Sequence, residues 1–187
     1  GANSDNIPEH LAQFAVMGEV FARYIHDKKN IKTALLNIGT EDKKGSELYR
    51  NAYQLLKEKN DNFVGNIEGR EMLKGDVDVV VCDGFVGNIV LKFAEGMASM
   101  FGAKIREFAM ENVRSKIGAL ILKPVFAKFK KELDYSEYGG ALLVGVNGVC
   151  LKAHGSSDAK AIKNALKAAS KAVKNGIVDY ISEGITK

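Results

Sequence analysis

Cysteine is scarce in this sequence: the 187 residues include only two, Cys82 and Cys150. Each lies within an apolar run that is typical of a β-strand, so we expect two buried free thiols in a protein of a reducing compartment. No Cys and His residues have the spacing of a metal site. We therefore expect neither a disulfide nor a bound metal, and no cofactor is predicted.

Long hydrophobic runs are also lacking. No run approaches the roughly 18 apolar residues of a membrane-spanning helix, and the first residues, GANSDNIPEHL, lack the basic and apolar regions of a signal peptide. Apolar residues make up 46% of the chain and charged residues 27%, which is ordinary for a soluble globular protein. These absences predict a globular protein without a membrane span.

Positive charge is concentrated in one part of the chain. The net charge of the whole sequence is +4, yet residues 102–131 alone carry eight basic and two acidic residues. This stretch, the basic segment, therefore attracts acidic partners such as an anionic membrane surface, an acidic protein or a nucleic acid.

Strand-like and helical patterns alternate along most of the chain. The alternation predicts an α/β fold with a mostly parallel sheet. Period-3.6 and β-branched patterns give these elements: an amphipathic helix over 8–27, a strand over 33–39, a helix capped by Ser46, a strand over 62–67, a helical turn closed by Gly75, a strand over 77–83 and a helix after it.

The second half of the chain departs from this alternation. Residues 95–138 are predicted to form a helical excursion, broken at Lys123–Pro124, from a single α/β unit that spans 1–187. Residues 141–154 return to strands around a hairpin-like VNGV turn. The last helix is predicted to bury one face and to expose a row of lysines; the buried face consists of Ala159, Ile162, Leu166, Ala169 and Val173.

Three glycine-containing loops each follow a predicted strand and precede a helix: NIGTEDKKGSE, CDGFVGN and KAHGSSD. In parallel sheets, ligands bind beyond the carboxyl ends of the strands, and helix N-termini attract anions. Lys43, Lys44, Lys152 and His154 add positive charge, and serine hydroxyls follow His154. If the loops share one sheet edge, they predict a phosphate site.

Each loop alone has a simpler explanation. The first fits a solvated turn, and the second fits a strand-end turn in which Asp83 accepts backbone hydrogen bonds. In the third, His154 fits a packed residue, and Ser157 or Asp158 fits a helix cap. None of the loops matches the P-loop or the G-x-G-x-x-G pattern.

Longer motifs containing these loops resemble the PlsX family, the phosphate:acyl-acyl-carrier-protein acyltransferases of bacterial phospholipid synthesis. The matching stretches run through the chain in the family's order: GAN with PEHLAQFAVMGEVF, LLNIGTEDKKGSEL, NFVGNIEGREML, DVVVCDGFVGNIVLK and DYSEYGGALLVGVNGVCLKAHGSSDAKAI. The resemblance implies a three-layer α/β sandwich similar to isocitrate and isopropylmalate dehydrogenases, and a homodimer. Family chains are longer at the N-terminus, so this chain is expected to contain only part of the active site.

The resemblance also implies the reaction, in which inorganic phosphate attacks the thioester of an acyl-carrier protein. Lys44, Asp83 and Asn88 are then the expected catalytic residues: Lys44 holds phosphate or the oxyanion, Asp83 orients Lys44 or phosphate, and Asn88 donates to the thioester oxygen. The remaining phosphate or substrate contacts are expected from Asn3, Lys43, Gly84, Gly87, His154, Gly155, Ser156 and Ser157.

The basic segment gains a specific interpretation from this resemblance. KIGALILKPVFAKF, residues 116–129, fits an anionic membrane surface where acyl phosphate is delivered, while its apolar residues equally fit packing across a dimer. The expected enzyme is cytoplasmic and peripheral to the membrane. Its predicted contacts with membrane or carrier protein are Lys116, Lys123, Lys128, Lys130 and Lys131.

Three other functions are alternatives to this one. A phosphotransacetylase acting on an acyl-CoA shares the chemistry and differs in its thioester donor. A dehydrogenase of similar fold needs metal-binding carboxylates and a nucleotide pocket, and no convincing set is present. A nucleic-acid-binding module needs a recognised motif or aromatic platform, which the basic segment lacks, so no nucleic-acid partner is expected.

Overall fold

A computed structural model describes residues 3–133, 140–153, 155 and 157–186, and for residues 25, 26 and 130–133 it describes the helical backbone alone. The chain divides into two compact units. The first comprises Gly1–Gly87, Leu143–Cys150 and Ser170–Lys187, and the second comprises Asn88–Leu142 and Leu151–Ala169. An α/β architecture with parallel strands is confirmed in the first unit.

The first unit is built on a parallel three-stranded sheet. Its strands are β1 (Thr33–Asn37), β2 (Phe63–Glu68) and β3 (Val79–Val81), in the order β2-β1-β3. Strand β1 is central, and its buried apolar residues pair with the valines of β3 in the register Thr33↔Val79 to Leu35↔Val81. Strand β3 is shorter than the predicted 77–83, and a 3₁₀ turn (Met72–Lys74) ends at Gly75 as expected.

Two helices cover this sheet. Helix α1 (Pro8–His26) begins with proline at its first turn, where a missing N–H costs no helical hydrogen bond. Helix α2 (Glu47–Lys59) follows Ser46, which occupies the N-cap position as predicted. Both helices contribute to the core around Leu11, Leu35 and Leu56, each at most 1% exposed. The period-3.6 patterns of the sequence therefore predicted α1 and α2 correctly.

A buried carboxylate on α1 joins this helix to the amino ends of the strands. Glu19 is 8% exposed and accepts hydrogen bonds from Thr33 Oγ1 (2.6 Å), Asn60 Nδ2 (2.7 Å) and Asn62 Nδ2 (2.7 Å). These donors lie at the start of β1 and between α2 and β2. Because they occupy both carboxylate oxygens, Glu19 fixes the amino ends of the strands.

Two long helices dominate the second unit: α3 (Gly84–Met110), which begins in the first unit, and α4 (Val113–Leu133). The predicted break at Lys123–Pro124 is wrong, because α4 continues through Pro124. A proline removes one N–H, and the carbonyl of Leu120 that would have accepted its bond lies on an exposed helix, where water can replace it. Helix α3 has no buried residue.

Strands β4 (Ala141–Leu143) and β5 (Cys150–Lys152) form a separate two-stranded sheet. The expectation of two buried thiols is wrong for Cys150, which is exposed because this small sheet leaves it uncovered, and Cys82 is half-buried. Burial raises the pKa of the Cys82 thiol.

Helix α5 (Ala159–Lys174) is followed by α6 (Ile177–Thr186), which packs against α1 and was not predicted. The predicted buried face of α5 is wrong. Ile162, Leu166 and Val173 are exposed by 44%, 68% and 65%. Small residues lie inward instead, because alanine lets a helix approach its neighbours closely; they are Ala161, Ala165 and Ala172.

Candidate active site

Two of the three predicted loops leave the same edge of the three-stranded sheet. Because β1 and β3 are adjacent and parallel, their carboxyl ends meet there, at Asn37 and at the residues before Asp83. The loop after β1, residues 38–46, leads into α2, and Asp83 leads directly into α3. Two helix N-termini therefore begin beyond this edge, an arrangement suited to an anion.

Two asparagine side chains hold the loop after β1. Asn37 Nδ2 donates to the Lys44 carbonyl oxygen (3.0 Å) and to Asn66 Oδ1 (3.1 Å). Asn66 Nδ2 donates to the Glu41 carbonyl oxygen (2.8 Å). The backbone around Lys43 and Lys44 is thus fixed to strands β1 and β2, while both lysine side chains are exposed.

The same loop is anchored to α2 by Asp42. Its carboxylate accepts from Tyr53 Oη (2.6 Å) and Lys57 Nζ (3.1 Å). These hydrogen bonds, with the one from Tyr53 the larger influence, hold the pKa of Asp42 below its usual value. Burial, and to a lesser extent the hydrogen bond to the Asp42 carboxylate, raises the pKa of Tyr53 to about 12. Lys44 lies in the same loop, where its Nζ is 3.8 Å from Glu41 Oε1 in a long, exposed ion pair.

Asp83 is buried at the start of α3, where only 6% of it is exposed. Its Oδ1 accepts from the Val86 backbone N–H (2.8 Å), as a helix N-cap does. Its Oδ2 accepts from Tyr49 Oη (2.6 Å), and the Asp83 N–H donates to the same hydroxyl oxygen (3.2 Å). Burial, followed by this hydrogen bond, raises the pKa of Tyr49. Asp83 therefore has a defined structural role, which sequence reasoning foresaw only as a strand-end turn.

The first described residue lies at this position too. The Gly84 N–H donates to the Asn3 carbonyl oxygen (2.8 Å), which also accepts from Asn6 Nδ2 (2.7 Å). Gly87 lies on the first turn of α3, where an added Cβ would approach Cys82 Sγ to 3.1 Å. The structure thus brings together Asn3, Asp83, Gly84 and Gly87 at the end of β3.

The third loop follows β5, which pairs with β4 rather than with the three-stranded sheet. The expectation that all three loops leave one sheet is wrong for this one, because the sequence pattern does not specify which strand pairs with β5. Gly155 is exposed and Ser157 is half-buried, while His154 and Ser156 lie outside the described residues. Asp158 caps α5 through the Ala161 N–H (2.8 Å).

The remaining candidates lie on the surface of the second unit. Asn88 is exposed on the second turn of α3, and Lys116, Lys123 and Lys128 are exposed on α4. The side chains of Lys130 and Lys131 lie outside the description. Within the described residues, no group of three or more His, Cys, Asp or Glu could hold a metal ion.

Apolar surface accompanies the polar groups of the first unit. Ile38 follows β1 and Phe85 follows β3, and their side chains are 82% and 63% exposed. An open hollow of about 160 Å³ also lies along β3; its lining is Phe14, Met17, Gly18, Val79, Val80, Val81, Cys82 and Val144. The carboxyl edge of the sheet therefore offers apolar contacts beside the lysine-bearing loop.

Sequence reasoning missed three residues that organise these loops. Tyr49 on α2 bonds Asp83, and Asn37 and Asn66 bond each other across β1 and β2. Their partners are 34 and 29 residues away in sequence. The available signal was weak: an asparagine at a strand's carboxyl end, and a tyrosine on the inward side of an amphipathic helix.

Comparison with known proteins identifies the family of this chain. A profile of the family described as "Fatty acid synthesis protein" matches residues 1–179. The chain belongs to this fatty acid synthesis protein family. It is 52% identical over 185 residues to a phosphate acyltransferase of Clostridium novyi (strain NT), an alignment that covers 99% of this chain and 56% of that protein.

Other members of the family match as fully. A phosphate acyltransferase of Alkaliphilus oremlandii (strain OhILAs) is 51% identical over 186 residues, covering 100% of this chain and 56% of that protein. One from Thermodesulfovibrio yellowstonii is 50% identical over 187 residues, covering 100% and 54%. The chain therefore spans little more than half the length of these relatives.

Proposed function

We propose that the protein containing this chain is a phosphate acyltransferase that transfers an acyl group from a thioester to inorganic phosphate. The observation that carries the proposal is the loop of Lys44, which is fixed by side chains of β1 and β2 beside the N-termini of α2 and α3. The names of the relatives, phosphate acyltransferases, support it.

The reaction needs little covalent participation from the protein. An oxygen of phosphate attacks the thioester carbonyl carbon and forms a C–O bond. The C–S bond then breaks, and the sulfur leaves as a thiolate that takes up a proton to give the thiol. Phosphate is already an anion at neutral pH, so the protein's contributions are to position it and to stabilise developing negative charge.

The residues suit these two tasks in different ways. Lys44 offers a cation at the sheet edge, and we assign it to phosphate or to the oxyanion. Asp83 keeps the start of α3 in place and, in the proposal, orients Lys44 or phosphate from there. Asn88 is assigned to the thioester oxygen. Further contacts with phosphate or substrate are assigned to Asn3, Lys43, Gly84, Gly87, His154, Gly155, Ser156 and Ser157.

The acyl donor in this proposal is acyl-acyl-carrier protein. The exposed Ile38 and Phe85 provide apolar contacts for the acyl group, and the exposed lysines of the basic segment suit an acidic carrier.

The donor is tested by following thiol release by the full-length protein with matched acyl-carrier-protein and acyl-CoA substrates, with and without phosphate. We expect phosphate-dependent release that is faster with the carrier protein. Preference for acyl-CoA would make the protein a phosphotransacetylase. Thiol release at the same rate with and without phosphate would contradict the proposed function.

The larger assembly is also part of the proposal. In the proposal, the chain is part of a three-layer α/β fold similar to isocitrate and isopropylmalate dehydrogenases, in a cytoplasmic homodimer. Its helical excursion is residues 95–138, of which 134–138 lie outside the described residues. Exposed apolar residues of α3 support self-association, since a stripe left in water destabilises a monomer; they are Phe93, Phe101, Ile105 and Phe108.

Helix α4 supports contact with an anionic membrane. Leu120, Ile121 and Leu122 are consecutive and 47% to 71% exposed, so its apolar surface extends around the helix beside the exposed Lys116, Lys123 and Lys128. Such a combination suits the interface of an anionic bilayer. No helix in the described part of the chain is long and apolar enough to cross one.

Charge reversal on α4 tests this membrane contact. Each lysine near an anionic surface contributes about 1 kcal/mol, so Lys128→Glu, Lys130→Glu and Lys131→Glu together should lower partitioning to phosphatidylglycerol vesicles by roughly 100-fold or more. Flotation measures the bound fraction. The control reverses three exposed lysines of α5, Lys163, Lys167 and Lys174, and should float like the wild type. Unchanged flotation of the α4 variant would remove the membrane from the proposal.

A further inference from the structure

We infer that Asn37 and Asn66 are positioning residues for phosphate binding and act through the backbone of the Lys44 loop. This inference rests on the proposed role of Lys44. The two amides form a continuous chain of hydrogen bonds from the Glu41 carbonyl through Asn66 and Asn37 to the Lys44 carbonyl. The loop is thereby attached at two points to two strands of the sheet.

The geometry of Asn37 leaves it little freedom. Both N–H groups of its amide are used, since Nδ2 donates to Lys44 and to Asn66, while Oδ1 accepts from the Ile38 N–H at 2.9 Å. An amide with three such bonds has a single favourable orientation. The position of the Lys44 backbone is therefore set by the end of β1 itself.

Gly45 allows this close approach. Its φ is +93°, in the region that favours glycine, and a Cβ there would lie 2.6 Å from Asn37 Oδ1. Arg50 Nη1 donates to the Gly45 carbonyl oxygen at 2.6 Å and holds the next peptide. The loop thus has its conformation before any anion arrives, whereas the Lys44 side chain stays 48% exposed and can reach one.

Such preorganisation affects binding of the anion more than stability of the fold. The hydrogen bonds of the two asparagine side chains lie at an exposed or half-buried end of the sheet, away from the core around Leu35. If they are lost, the loop samples several conformations, and binding an anion must then select one of them. Phosphate affinity should fall while the melting temperature changes little.

Equilibrium dialysis of radiolabelled phosphate with the full-length protein tests the inference without requiring turnover. Asn66→Ala should raise the Kd of phosphate by roughly tenfold, the effect of losing a well-formed hydrogen bond. Asn51→Ala is the matched control, because Asn51 is an exposed residue of α2, and should leave the Kd unchanged. Asn66→Asp keeps the side-chain shape and replaces the amide donor with a charged carboxylate oxygen, and Asn51→Asp is the control for the added charge.

Combination with Lys44→Ala separates positioning from a general structural effect. If Asn66 acts through Lys44, Asn66→Ala adds little to the Kd in the Lys44→Ala background. An unchanged Kd for Asn66→Ala and Asn66→Asp, or an equal increase in both backgrounds, would overturn the inference. If Lys44→Ala itself leaves the Kd unchanged, the proposed role of Lys44 fails and the inference fails with it.

Discussion

Lys44→Ala is expected to lower kcat/KM for phosphate by roughly 100- to 1,000-fold, the usual cost of removing one group that stabilises transition-state charge. The lysine reaches beyond the carboxyl edge of the sheet from a loop held by Asn37 and Asn66, and its only described ion pair is the 3.8 Å contact with Glu41. Acyl phosphate formation by the full-length protein provides the measurement.

The fold of this variant should be intact. The Lys44 side chain is 48% exposed, and its loop is attached through backbone carbonyls, which alanine retains. Lys59→Ala, an exposed lysine of the last turn of α2, serves as the matched control and should behave like the wild type. Near-normal acyl phosphate formation by Lys44→Ala would remove Lys44 from the catalytic site.

Asp83→Ala is expected to lower the free energy of unfolding by about 2–4 kcal/mol. Two losses combine in this variant. Helix α3 loses the cap that Asp83 provides to the Val86 N–H, and the buried Tyr49 hydroxyl loses the acceptor that lies 2.6 Å from it. Denaturant unfolding monitored by circular dichroism measures the change.

A second helix cap, Asp158, separates the cost of losing the cap from the cost of leaving the Tyr49 hydroxyl without its acceptor. Asp158 caps α5 through the Ala161 N–H but is itself exposed, so Asp158→Ala should lower the free energy of unfolding by only about 1 kcal/mol. Tyr49→Phe should recover part of the cost of Asp83→Ala, because it removes the hydroxyl left without a partner. Equal costs for the two aspartate variants would show that the Tyr49 contact contributes nothing.

Periodicity made much of the first unit predictable. The apolar spacing of Leu11 and Met17 gave α1, and the run TALLN gave β1, because a core residue must recur on one side of its element. The parallel direction of the strands followed from their alternation with helices, although the pairing of β1 with β3 did not. Lys44 and Asp83 were candidates because they lie in loops after predicted strands and within motifs that resemble the PlsX family, and the carboxyl ends of those strands do meet.

Long-range hydrogen bonds were not predictable in the same way. A sequence pattern shows that Tyr49 lies on the inward side of α2, yet it does not show that Asp83, 34 residues later, accepts its hydrogen. The pairing of Asn37 with Asn66 likewise depends on the register of β1 against β2, which contains a shift between Thr33 and Leu35. Tertiary geometry decides such contacts.

Exposed helices were the least predictable elements. The rule that proline breaks helices failed at Pro124, because solvent can replace the lost hydrogen bond. The rule that large apolar residues lie inward failed on α5, where Ala161 and Ala165 are buried and Leu166 is exposed. Both rules assume that burial decides the outcome, and in the second unit few side chains are buried.

We expect inorganic phosphate to bind at the carboxyl edge of β1 and β3. A crystal structure determined from crystals of the full-length protein soaked in phosphate tests this expectation. Tetrahedral density should lie within hydrogen-bond distance of Lys44 Nζ and near the N-terminus of α3 at Gly84, with the hydrogen bonds of Asn37 and Asn66 unchanged. Phosphate bound at another site, with none beside Lys44, would contradict it.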